Sequence, residues 1–438
     1  MTREKILYVV HCIDTEGPLD ESLNSTFKRL KELFGIDIPA TRDNLSKIQH
    51  KQLDLGGIED SVAECFSPKL LKYNSSWEKI DEMLDELLSA NYRNSHLDDF
   101  GNEWIFSWHC MDHVGIDNNP RRKDLGYGNI FEHYLNKLQE HGDSNHEINW
   151  HFHPLSLTKN ATQAATSYTN NMQILNQIIC RRILDYRWFP VVNRPGFHAE
   201  RSDTNLFLEQ WMPFDYANQF CEEIQAQPDA NNGRFGNWSR ASPSWRGYNP
   251  SHDDYQSAGI CKRTIFRCLN VGTRLRLLRE NHVREAFIEA NEHGSSILSF
   301  ADHDWRDIRP DVDYVIELLE KVRLDFPEVR IRYAGAHEAA IQHLEFSGKD
   351  PLLFDSYFLN NQLIVEVTSG EIFGAQPFLA IETQEGTYFT DNFDELEKNH
   401  KWSYIFDDMT LPLTLLRRIG VGSAGRYGGF HVKVIDLV

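Results

Sequence analysis

Two short patterns in this 438-residue chain place chemically active side chains two positions apart: Asp14-Thr15-Glu16 and His151-Phe152-His153. Along a β-strand, side chains alternate faces, so residues i and i+2 point the same way. The two imidazoles could therefore bind one metal ion without distorting the backbone. Two carboxylates held close together repel, so one must bind a cation or rise in pKa. A division of labour follows, in which one carboxylate binds the metal and the other takes a proton from the water that the metal activates. Each pattern also has a plainer reading. The chain holds 19 histidines, many of which serve in cores or on surfaces, and Asp and Glu favour a solvated turn before Gly17-Pro18.

Two further clusters are of the same kind. Arg194-Pro195-Gly196 could fix a carboxylate through a bidentate pair, or could be a plain Pro-Gly turn. Asp302-His303-Asp304-Trp305 sets a histidine between two carboxylates, which can fix its tautomer and suit it to general-acid work. The alternative is a surface ion pair on a capped loop. What the four clusters share is position, because each follows a strand-like run.

The runs that must position them read as follows. Ile6 to Val10 is a buried strand that breaks at Asp14 to Pro18, and Glu103 to Trp108 is a second, leading into His109-Cys110-Met111-Asp112-His113. Glu147 to His153 is a third, stopped by Pro154. Phe189 to Val192 leads to Asn193, Ser296 to Phe300 leads to Ala301, and Val329 to Tyr333 is a further strand. Helical periodicity marks Trp77 to Leu88, Ile130 to His141, Asn170 to Leu184 and Val312 to Leu324. Strands alternating with helices predict an α/β fold with a mostly parallel sheet, open or closed into a barrel, whose active site follows the strands. From about residue 350 the texture changes. Phe354 to Phe358, Gln362 to Thr368, Phe378 to Thr383, Trp402 to Phe406 and Phe430 to Ile435 read as short antiparallel strands. The expected domains are therefore residues 1–347, a barrel, and 348–438, a C-terminal β-sandwich-like module.

Composition narrows the partners. With 45 Lys and Arg against 65 Asp and Glu, the net charge is -20, which repels phosphate backbones and anionic lipid and argues against a nucleic-acid partner. No apolar run is long enough to span a bilayer. Ile6 to Val10 is too short for a signal-peptide core, and the seven cysteines form no CxxC pair. A reduced, cytoplasmic protein is expected.

In order, Asp14-Thr-Glu16-Gly-Pro, His146 to Pro154, Asn193-Arg194-Pro-Gly196 and Leu298 to Asp304 resemble the polysaccharide deacetylase family, carbohydrate esterase family four. The resemblance covers about residues 5–345 and implies a distorted (β/α) barrel with fewer than eight repeats. It implies Asp14 as catalytic base, Glu16, His151 and His153 as metal ligands, Arg194 orienting the base, and His303 as general acid tuned by Asp304 or Asp302. The family's histidines usually stand four residues apart, and its ligand carboxylate is an aspartate. His109, Asp112, His113 and His198 are reserve ligands at similar strand ends. The donors suit a divalent cation, zinc first, with cobalt, nickel or manganese also compatible.

The implied activity is metal-dependent removal of an acetyl or formyl group from an amino sugar, at a C–N bond other than a peptide. With no export signal read, a nucleotide- or lipid-linked precursor of a surface polysaccharide such as O-antigen or capsule is the expected substrate. Trp238, Trp245 and Tyr248 in the aromatic loop 232–255, together with Trp305, could stack on sugar rings, or could simply pack the loop onto the barrel. A homo-oligomer is compatible with the C-terminal module. Two rivals remain: an amidohydrolase-type barrel, whose HxH pair normally sits on the first strand, and a non-catalytic glycan-binding relative.

Overall fold

Parallel strands made from β-branched and aromatic runs build the frame of the computed structural model, which describes residues 4–142, 146–159, 167–222, 236–273 and 277–437. Residues 232–235 of the aromatic loop lie outside the described residues, as do 1–3 and 438 at the outer limits of the expected domains.

The strands are β1 (Lys5–Thr15), β2 (Phe106–Cys110), β3 (Glu147–Phe152), β4 (Val192–Pro195), β5 (Phe214–Asn218), β6 (Thr264–Asn270), β7 (Ser295–His303) and β8 (Val329–Tyr333). Strands β1 to β7 pair in sequence, and β7 returns to β1, so seven parallel strands close into a barrel. One edge of β1 serves two partners. Its first half, Lys5 to Val9, pairs with β8, and its second half, His11 to Thr15, pairs with β2. The distorted barrel with fewer than eight repeats is thus the observed architecture, with the eighth strand set beside the seven.

Helices lie between the strands. They are α1 (Leu23–Phe34), α2 (Arg42–Gln49), α3 (Glu59–Cys65), α4 (Trp77–Leu87), α5 (Ala90–Ser95), α6 (Asn129–Glu140), α7 (Met172–Tyr186), α8 (Ser202–Trp211), α9 (Glu280–His293), α10 (Arg309–Arg323) and α11 (Ala336–His343). Ile80, Leu84 and Leu87 of α4, Phe131 of α6, Phe287 of α9 and Val315 and Leu319 of α10 pack with Leu7, Val9 and Phe300 of the sheet. Each such side chain contributes about 1.5–3 kcal/mol by burial. This shell leaves the strand ends free to carry polar groups.

After α11 ends at His343, the architecture changes to antiparallel, beginning with β9 (Leu353–Leu359). Strands β10 (Gln362–Ser369), β11 (Phe378–Thr383), β12 (Tyr388–Phe389), β13 (Asp394–Glu397), β14 (Lys401–Ile405), β15 (Leu416–Ala424) and β16 (Phe430–Asp436) complete two four-stranded sheets. Leu363, Val365 and Trp402 from one sheet meet Leu379, Ile381 and Val421 from the other in a shared apolar core. The module is fixed to the barrel through α7, where Arg418 bonds to Asp185 at 2.6 Å and pairs with Glu382. Among the described residues, no helix is long and apolar enough to cross a membrane.

Candidate metal centre

The register of the barrel brings distant sequence clusters to one end. Asp14 on β1 lies opposite His303 on β7, and His151 on β3 lies opposite Arg194 on β4. Glu16 follows the end of β1 and His153 the end of β3, where the backbone turns away. Glu16, His151 and His153 each offer one ligand atom within 4.8 Å of the others, so this buried group could hold a metal ion.

Its donors are arranged for that task. His151 Nδ1 lies 2.6 Å from the Arg194 carbonyl, which makes Nδ1 the donor and leaves the Nε2 lone pair facing inward. That Nε2 stands 2.9 Å from His153 Nε2, and His153 Nε2 stands 3.4 Å from Glu16 Oε1. Ligands about 2.0–2.1 Å from a tetrahedral zinc ion stand about 3.3 Å from one another. The Glu16–His153 separation matches this, and the two histidines would need to part by a few tenths of an ångström. Glu16 Oε1 is a buried oxygen with no hydrogen-bond partner. Burial, the first cause in each case, holds His151 at about 3 and His153 well below the ordinary histidine value. Both imidazoles are therefore neutral, the form that donates a lone pair to a metal.

Two glycines make the approach feasible. A Cβ on Gly196 would come 2.0 Å from His153 Cδ2, so any larger residue there displaces the imidazole. Gly17 turns the chain immediately after Glu16 with φ of +72°, a left-handed conformation that glycine adopts at no steric cost.

Asp14 and Arg194 form the second layer of the site. Arg194 Nε donates to Asp14 Oδ1 at 2.5 Å, and its remaining donors reach the Tyr216 carbonyl at 3.1 Å and Cys268 Sγ at 3.5 Å. Burial alone would raise the Asp14 pKa, but the charge of Arg194, followed by His151 and His303, outweighs it and holds the carboxyl well below its usual range. His303 Nε2 lies 3.6 Å from Asp14 Oδ2, and its ring stacks on Trp305 at 4.1 Å and 20°. Burial pushes His303 well below its ordinary value, against the pull of Asp14.

The other expected residues fall elsewhere. Asp304 accepts from the backbone N–H groups of Glu16 and Gly17, both at 2.9 Å, and from the Tyr134 hydroxyl at 3.0 Å. It clamps the loop that carries Glu16, and burial raises its pKa to about 8. Asp302 turns away from the site and pairs with His11 at 3.0 Å. Trp238 and Trp245 are fully enclosed, with Trp238 Nε1 bonded to the His198 carbonyl and Trp245 stacked under Arg267. Tyr248 spends its hydroxyl on the Tyr255 carbonyl at 2.7 Å. These three pack the loop onto the barrel, and Trp305 alone of the four aromatics stands at the site. Among the reserves, His113 Nε2 donates to the Glu16 carbonyl at 2.8 Å, His109 Nδ1 faces the Trp150 carbonyl at 3.4 Å, and Asp112 pairs with Arg182. His198 lies near Asn270, outside the metal trio.

One residue beside the trio is not marked by the sequence patterns. Lys123 reaches in from the loop before α6, pairs with Glu16 Oε2, and lies 4.8 Å over the Trp305 ring. Burial lowers its pKa to about 7, against the charge of Asp304. The basic run Arg121-Arg122-Lys123 was the available signal, and only tertiary structure shows which of the three turns inward. Compared with known proteins, the chain matches no family model, no curated protein and no solved structure.

Proposed function

We propose that this chain is a metal-dependent deacylase that hydrolyses an acetyl or formyl group from an amino sugar, as a divergent relative of the polysaccharide deacetylases. The carrying observation is the convergence of Glu16 Oε1, His151 Nε2 and His153 Nε2 beside the Asp14–Arg194 pair and His303. Zinc suits two imidazoles and one carboxylate with a position left open for reactants. When bound, such a cation supplies Lewis acidity, polarising the acyl oxygen and acidifying water.

The chain's own groups then handle the proton. Asp14, kept ionised by Arg194, accepts it from the attacking water at Oδ2. Because Asp14 is a weak base, the proton passes readily to His303 Nε2, which is neutral at rest and lies 3.6 Å away. His303 then delivers it to the departing amine, which would otherwise be a poor leaving group. Arg194 holds the Asp14 carboxylate in place throughout. A cytoplasmic precursor of a surface polysaccharide remains the proposed setting.

A second reading has one observation behind it. The Lys123 ammonium already supplies a positive charge to Glu16, which suits a glycan-binding relative that works without a metal. The deciding experiment supplies the zinc-loaded protein with N-acetyl and N-formyl amino sugars, free and phosphorylated, and measures acid and primary amine released. Equal release of both, cut roughly 10²- to 10⁴-fold in Asp14→Asn, supports the deacylase. No release from fully loaded protein across the panel supports the binder.

A further inference from the structure

In a chain of net charge -20, positive charge collects beside the metal centre. Arg121 and Arg306 both lie over the rings of Tyr73 and Trp305, at 5.6 to 6.0 Å from the ring centroids. Arg29 stands next to them and is engaged twice by Glu21, at 3.0 and 2.8 Å. The contact to Glu21 from Arg121 Nε is longer, at 3.4 Å, and that buried Nε has no hydrogen-bond partner. Arg306 spends its Nε on the Leu70 carbonyl at 3.2 Å and has no ion pair among the described residues. The nearby Asp311 lies 3.9 Å from Lys69, and its charge is shared between Lys69 and Arg306.

From this arrangement we infer that the site takes a substrate bearing a phosphoryl group, held by Arg121 and Arg306 beside Trp305. Arg29 and Arg121 share one carboxylate, Glu21, Arg306 makes no ion pair among the described residues, and Lys123 is matched by Glu16. Positive charge is therefore in excess beside Trp305, which fits a phosphate ester or diphosphate. Planar guanidinium forks bind phosphoryl oxygens in pairs, and their cost of mutual repulsion is relieved when an anion enters. Burial, together with the charges of Arg121 and Arg29, pushes Arg306 below its ordinary pKa, a direction in keeping with crowded guanidinium groups.

Connectivity ties this patch to the reacting groups. Arg306 follows Trp305, whose ring stacks on His303, and Arg121 precedes Lys123 by two residues. A phosphoryl group at the arginines therefore fixes the remainder of the molecule against the metal centre. Its role as a substrate handle rests on the deacylase reading; anion binding itself does not.

Titration calorimetry with inorganic phosphate and with acetate separates these claims. The zinc-loaded wild type should bind phosphate about tenfold or more tighter than acetate, and Arg121→Gln/Arg306→Gln should lose about tenfold. Arg306→Gln alone, which removes no ion pair, gives a smaller loss in the same direction and serves if the double variant is unstable. The His151→Ala/His153→Ala protein should keep its phosphate affinity. Equal affinity for acetate, indifference to the arginine variants, or loss of phosphate with the histidines would each overturn the inference. Competition against bound phosphate then identifies the source: a sugar 1-phosphate or a nucleoside diphosphate sugar should displace it, and a free N-acyl sugar should not. Displacement by the free sugar as readily as by the phosphorylated ones would also overturn it.

Discussion

Adjacent residues on β4 enter two buried ionic clusters of opposite design. Arg194 points into the barrel and meets Asp14. Asn193 points the other way and bonds to Asp215 at 2.8 Å, within a network in which Arg263 bridges Asp215, Glu200 and Asn205 of α8. In the outer network a cation sits among its acceptors, and burial raises Glu200 to about 8 and Asp215 to about 6. That is a self-contained structural joint. In the inner cluster, three potential ligand atoms of Glu16, His151 and His153 face each other, and the nearest cations, Arg194 and Lys123, are tied to other oxygens. Burial of charge is common to both clusters. What distinguishes the inner one is that three potential ligand atoms converge with only one proton, in the 2.9 Å His151–His153 hydrogen bond, between them.

The comparison can be broken from either side. Arg263→Met should cost about 3–5 kcal/mol of stability in denaturant melts by leaving two acids without their cation, yet leave metal affinity unchanged in protein that is still folded. A parallel loss of metal would merge the two clusters into one. His303→Ala should do the opposite, lowering the rate roughly 10²- to 10⁴-fold in steady-state assays while barely moving the melting midpoint. Gly196→Ala should weaken metal binding about 10- to 100-fold by equilibrium dialysis, because the new methyl displaces His153. Retained affinity would show that His153 is no ligand.

A further effect, gradual in any one pH unit, is on pH dependence. Burial holds the His109 pKa down at about 3, whereas the unfolded chain takes up its proton near 6.5. Between those values the unfolded state binds one more proton, so stability rises with pH at about 1.4 kcal/mol per unit for this residue. That contribution is complete above about 6.5 and is lost progressively as pH falls towards 3. His109→Gln should flatten the slope of urea-derived stability in that window by the same amount. An unaltered slope would mean that His109 is protonated in the folded protein.

Much of the frame was legible because its strands carry continuous or alternating apolar residues. Val329 to Tyr333 and Phe378 to Thr383 coincide with β8 and β11, and the helices at Trp77, Ile130 and Val312 lie within a few residues of α4, α6 and α10. Strand β6 was not read, because Arg267 and Asn270 interrupt its apolar run, Arg267 donating to the Pro243 carbonyl at 2.6 Å and Asn270 accepting from Arg194 at 3.4 Å. Strand β15 escaped because Gly420 and Gly422 dilute its pattern. At the site, strand alternation made Asp14 with Glu16 and His151 with His153 candidates, and the resemblance carried by the ordered clusters singled out Glu16, His151 and His153 as ligands. Lys123 and the arginines around Trp305 come together only through loops, and sequence spacing carries no trace of that meeting. The aromatic loop taught the converse, because Trp238 and Trp245 looked available for stacking and instead fill the wall of the barrel.

The central claim is that Glu16, His151 and His153 hold one divalent cation. Crystals of zinc-loaded protein measured on both sides of the zinc absorption edge test it directly. One anomalous peak per chain is expected within about 2.0–2.2 Å of Glu16 Oε1, His151 Nε2 and His153 Nε2, with the Lys123 ammonium still on Oε2. A fully zinc-treated crystal with no peak there, or with its peak on other residues, would contradict the account.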